Sequence, residues 1–76
     1  MQLPVVNMRR TGERISLLRE QKGFTVRQLQ RLLGFATPQA IYKWQHGETL
    51  PTIDNLVALS AILDVPIEEI LVTDQE

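Results

Sequence analysis

With 76 residues, 43% of them hydrophobic, the chain is expected to be one small domain that buries about 60% of the surface its unfolded form exposes. It has no cysteine and no stretch near the ~20 apolar residues of a membrane-spanning helix, which excludes disulfides, Cys-based zinc sites and thiol catalysis and leaves a soluble, cytoplasmic protein as the expectation. The formal net charge of −1 conceals a segregation: every Lys and Arg, from Arg9 to Lys43, precedes Gly47, whereas residues 47–76 carry seven acids and no basic side chain, as expected when one face meets a polyanion.

In chain order, residues 1–10, with too few apolar side chains for a signal peptide, are expected to form a flexible N-terminal arm. Ile15 and Leu18, three apart with Leu17 beside them, predict a first helix over 11–22 that stops at Gly23. Thr25 then offers a capping oxygen, and Val26, Leu29, Leu32 and Leu33 repeat at helical spacing as far as Gly34. Thr37 reads as the N-cap of a third helix, with Pro38 at its first position, where a missing N–H costs nothing. Ala40, Ile41 and Trp44 form its inward stripe, Gln39, Tyr42 and Lys43 fall largely outside that stripe, and Gly47 ends it. Thr52 caps a fourth helix with Ile53, Leu56, Leu59, Ser60 and Leu63 facing inward, and Pro66 before IEEIL opens a short fifth. The expected fold class is therefore all-α, a compact bundle of five short helices over residues 11–72, followed by a tail at 73–76.

The second and third helices are each too short to be stable alone, and Gly34 lies in their joint, which makes the pair a helix-turn-helix candidate. Around that pair, the runs GERISLLREQKGFTVRQLQRLLGF and IYKWQHGETLPTIDNLVALSAILDVPIEEIL resemble the phage repressor and Cro-like helix-turn-helix family over about residues 11–72. The most telling elements are Leu18-Arg19, the spacing of Thr25, Leu29, Leu33 and Gly34, that of Ile41, Trp44 and Gly47, and Pro51-Thr52. The resemblance implies a lambda-repressor-like DNA-binding domain with residues 38–46 as the recognition helix. It further implies a small transcriptional regulator whose partner is double-stranded DNA, bound as a homodimer on two half-sites about 34 Å apart.

On that reading Thr37, Gln39, Tyr42 and Lys43 are candidates for base contact. The Gln39 amide suits adenine, Lys43 suits O6 and N7 of guanine, Tyr42 suits a thymine methyl or a phosphate, and Thr37 carries both a hydroxyl and a methyl. Thr25, Arg27 and His46 at helix termini, with Arg10 and its neighbour Arg9 on the arm, are candidates for phosphate contact or minor-groove entry. Trp44 is assigned to the core and Arg31 to solvent.

Several positions depart from the family pattern. Val26 stands where the family carries a Gln that holds phosphate and the recognition helix, and Gln30 stands where a small residue is usual. The interval from Gly34 to Gly47 is one residue longer than the commonest spacing, so the turn is expected to be reshaped. Glu48, in GETLP, takes a place where basic residues are common and weakens attraction to DNA. The family's partner for Arg19 is a glutamate, replaced here by Gln45; a hydrogen bond between the two is expected, with a positive charge left uncompensated.

The alternative is a protein-interaction module or antitoxin-like component with weakened DNA affinity, gripping a basic partner through the acidic half. Ile70, Leu71 and Val72 are expected to close the core against the first helix, and are the candidate apolar patch for a dimer. An enzyme is not expected: His46 has no cysteine or carboxylate cluster at triad or ligand spacing, and no Gly-rich phosphate loop occurs. No cofactor, metal or small-molecule substrate is implied.

Overall fold

The computed structural model describes residues 1–74. Five helices, α1 (Met8–Gln21), α2 (Val26–Leu33), α3 (Gln39–Gln45), α4 (Ile53–Leu63) and α5 (Ile67–Ile70), are flanked by two short strands, β1 (Val5–Val6) and β2 (Thr73–Asp74). The helical architecture matches expectation; the sheet is an addition to it.

Three helix starts carry side-chain caps. The Asn7 side chain accepts from the N–H of Arg10, Thr25 from that of Gln28, and Thr52 from that of Asn55, each satisfying a donor that has no partner within its helix. At α2 the cap is reciprocal, because the Gln28 side chain also accepts the Thr25 N–H at 2.8 Å. Gly34 ends α2 with φ at 75°, a left-handed conformation that a β-carbon would disfavour.

Every helix contributes to one core, made of Ile15, Leu18, Leu29, Ile41, Trp44, Leu56, Leu59, Leu63 and Ile70. The crossing of α1 over α3 is so close that a β-carbon on Gly12 would lie 1.9 Å from the Trp44 carbonyl oxygen. That contact is what allows α1 to seat the recognition-helix candidate from behind.

Four details differ from the sequence expectations. First, α1 begins at Met8, inside the segment expected to be an arm, because Asn7 caps it. Second, β1 pairs antiparallel with β2, Val5 opposite Asp74 and Val6 opposite Thr73, so that residues 5–10 and 73–74 belong to the folded unit; residues 75 and 76 of the expected tail lie outside the described residues. Third, the N-cap of α3 is Pro38, not Thr37, and the helix starts at Gln39. The Thr37 hydroxyl accepts the Gln39 N–H only at 3.5 Å, too long to act as a full cap. The extra residue in the turn moves the start of the helix one place along. Fourth, Ile53 is 77% exposed, on the outer side of α4 with Val57 one turn on, because the inward face is already filled by Leu56, Leu59 and Leu63. Leu17 and Leu32 are likewise largely exposed.

The C-terminal segment closes against α1 as expected, with Ile70 fully buried. Fully buried Thr11 joins the two: its hydroxyl oxygen accepts the Val72 N–H at 2.9 Å, and the Val72 carbonyl accepts the Asn7 N–H at 2.8 Å.

Candidate nucleic-acid interface

Helix α3 is divided lengthwise. Ile41 and Trp44 are buried, while Gln39, Tyr42, Lys43 and His46 are exposed. Their spacing of three, four and seven places these four side chains on one face. Tyr42 and His46 lie one above the other there, with ring centroids 6.3 Å apart and planes 21° from parallel. The stripe thus offers an amide, a phenol, an ammonium and an imidazole along about two turns, all held from behind by the core.

Helix α2 supplies the flank. Arg27 and Arg31, one turn apart, share a shallow open depression with Gln30 and the turn residues Ala36, Thr37 and Pro38. Arg27 and Thr37, assigned separately from the sequence, are thereby brought to one place. Arg31 belongs with them. Thr25 is exposed at the start of α2, where its oxygen accepts the Gln28 N–H at 3.0 Å, leaving its own O–H free to donate outward.

Arg10 does not join this group. It lies on α1, 3.6 Å from the Asp74 carboxylate, and borders a different depression with Glu13, Arg14, Leu17 and Val72. An arm reaching into a minor groove is not available to it, since residues 8–10 are helical. Arg9 is differently placed: its backbone packs against Gly47, at the end of α3, so closely that a β-carbon on Gly47 would lie 2.8 Å from the Arg9 Cα. Its side chain pairs with Glu13 at 2.6 Å, both largely exposed, a contact of small energetic weight.

The Arg19 and Gln45 pair expected from the sequence is present. Arg19 Nε donates to Gln45 Oε1 at 3.1 Å and its guanidinium also donates to the Phe24 carbonyl at 2.7 Å, tying α1, the start of α2 and the end of α3 together. The charge is not wholly uncompensated, since the exposed Glu20 carboxylate lies 3.5 Å away.

One contributor has no counterpart in the sequence reading: Gln28 completes the cap of α2, and its signal, a Gln three residues after a capping Thr, is present in the chain. Arg9, a candidate from the sequence as part of an arm, lies instead on α1 and packs on Gly47, a contact for which no local signal exists. Among the described residues no cluster of metal-ligating side chains occurs, and no helix is long and apolar enough to cross a membrane.

The profile of the helix-turn-helix family matches residues 15–70. No curated protein sequence matches the chain. Among solved structures, it resembles the restriction-modification controller protein C.AhdI from Aeromonas hydrophila, at 24% identity and a TM-score of 0.74 over 83% of this chain and 94% of that one. It also resembles the DNA-binding domain of BldD from S. venezulae, at 18% identity and a TM-score of 0.73 over 87% and 97%. HppE matches at 25% identity and a TM-score of 0.76 over 90% of this chain, but the match spans only 37% of HppE, so nothing of that whole protein's chemistry carries over. With most of its length matched by the profile and its helices in the same arrangement as these structures, the chain belongs to the helix-turn-helix family of the Cro/C1 type, the family of DNA-binding transcriptional regulators.

Proposed function

We propose that the protein reads duplex DNA by laying α3 in the major groove, with Gln39 and Lys43 contacting base edges. The observation that carries this reading is the division of α3, whose exposed stripe of Gln39, Tyr42, Lys43 and His46 backs directly onto buried Ile41 and Trp44. A helix fits the major groove, where each base pair presents a distinguishable set of donors, acceptors and methyl groups. Residues at the start of the helix go deepest, so Gln39 faces a base edge, Lys43 follows one turn later, and Thr37 and Tyr42 border them.

Arg27, Arg31 and Thr25 take phosphates on the α2 side, and His46 with Arg9 takes them at the far end of α3. Arg10, engaged by Asp74, contributes to the general field only. Glu48, in the loop immediately after α3, opposes phosphate and lowers affinity.

The protein acts on DNA as a symmetric pair. Ile70 is spent on the core and Leu71 and Val72 are half-buried, whereas Ile53 and Val57 form an exposed apolar stripe on α4 that a second copy can cover.

Titration of fluorescent duplex DNA at several salt concentrations tests the binding itself. Neutralising phosphates releases condensed counterions, and the log-log slope is about −0.9 per phosphate contacted. Arg9, Arg27 and Arg31, neutralising one phosphate each, give a slope of about −3 per copy and about −5 for the pair. A flat salt dependence contradicts the reading.

A further inference from the structure

The five-residue joint between α2 and α3, Gly34 to Pro38, is fastened at one residue. Phe35 donates its N–H to the Gln30 carbonyl at 3.0 Å and receives the Gln30 side-chain amide on its own carbonyl at 3.2 Å, so both of its backbone polar groups end on Gln30. Its ring then meets Trp44 edge-on, with centroids 5.8 Å apart and planes at 68°. A chain of contacts thus runs from the middle of α2, through the turn, to the buried face of α3.

The need for such a fastening lies at the start of α3. Its N-cap, Pro38, has no side-chain cap bond, and the Thr37 hydroxyl is 3.5 Å from the Gln39 N–H. The end of α3 is held by α1, where Gly12 meets Trp44 backbone to backbone, and by Arg19 on Gln45. The beginning, where Gln39 stands, is anchored from behind by buried Ile41, and on the side facing α2 it is held by the turn.

We infer that Gln30 is a positioning residue that fixes the base-reading stripe of α3 against the phosphate-binding side of α2, and so determines sequence preference without touching a base. The inference rests on the DNA-reading function proposed above. A small residue at position 30 has no amide to reach the Phe35 carbonyl, and a turn of this length is then free to shift Gln39 relative to Arg27 and Arg31. A side chain misplaced by about 1 Å loses a geometry-dependent contact while general phosphate attraction persists.

The test uses Gln30→Met, which keeps side-chain length and removes the donor. Trp44 is the only tryptophan, so acrylamide quenching of its fluorescence reports the Phe35 contact without DNA. The expected result is a quenching constant raised about twofold, with a preferred duplex losing about tenfold of its advantage over a scrambled one while the salt slope, set by the charged side chains, stays unchanged. A merely structural role predicts a loss shared equally by both duplexes. If Gln30→Met does not fold, Phe35→Leu, which keeps the amide-to-carbonyl bond and removes the ring contact, is read in the same two assays with the same expectation. Unchanged quenching, or an unchanged preference between duplexes, overturns the inference. A wild-type protein that shows no preference between duplexes overturns the function beneath it, a result distinguishable because quenching is measured without DNA.

Discussion

At the scale of single residues, the interface combines side chains that read with side chains that hold. On the proposed function Gln39 and Lys43 each contact one base, and Gln39→Ala and Lys43→Ala are each expected to cost about 1–3 kcal/mol against the preferred sequence and to relax preference at one base position. Binding profiles for single-base variants of the site check this, and a uniform loss across all variants contradicts it. Gln45 is a holding residue. Arg19 is only 13% exposed, and its nearest carboxylate, Glu20, is largely in solvent, so Gln45→Glu supplies a shielded counter-charge at the existing 3.1 Å contact. The melting temperature should rise by about 4–8 °C, the shift that 1 kcal/mol gives a domain of this size, while the added negative charge on α3 weakens DNA binding. A melting temperature that does not move contradicts the importance of the contact.

At the scale of elements, α3 depends on α1 more than on its own short length. Gly12 is where the two backbones touch, and Gly12→Ala would force its β-carbon to 1.9 Å from the Trp44 carbonyl oxygen. Circular dichroism of Gly12→Ala is expected to show no cooperative unfolding at 25 °C. Gly23→Ala is the control, since open space surrounds that position and only its left-handed φ of 79° is penalised, at about 1–2 kcal/mol. Equal melting temperatures for the two variants would contradict the crossing. The pattern of what the sequence revealed follows the same division. Ile41 and Trp44 inside, and Gln39 and Lys43 outside, were legible because a helical period sorts faces locally. The start of α3 was misplaced by one residue because Pro38 is compatible with either position and the longer turn decides between them. The inward expectation for Ile53 fails for the same kind of reason: at the first turn of a helix, periodicity cannot say which edge of the apolar arc the neighbours cover. The β1 and β2 pair was invisible, since two-residue strands carry no period and their partner lies more than sixty residues away.

At the scale of the whole molecule, residues 5–10 and 73–74 are brought together, and the acidic and basic halves partly interleave. Arg10 meets Asp74, and the Asn7 side-chain amide donates to the same carboxylate at 2.8 Å, so some of the segregated charge is consumed internally. The outward basic side chains that remain include Arg27, Arg31 and Lys43 on α2 and α3, beside the proposed base-reading stripe, together with Arg14 on α1 and Lys22 just after it. In the proposed symmetric pair the exposed Ile53 and Val57 on α4 meet the second copy, and Ile53→Lys is expected to convert a sedimenting dimer to monomer with little change in melting temperature, because Ile53 is not part of the core. An unchanged oligomer would place the contact elsewhere. The most direct test of the account is selection of bound duplexes from a random pool at about physiological salt, followed by sequencing. The account predicts a two-fold symmetric motif with half-sites about one helical turn apart; a pool that emerges without enrichment would contradict sequence-specific reading and turn attention to protein partners of the acidic half.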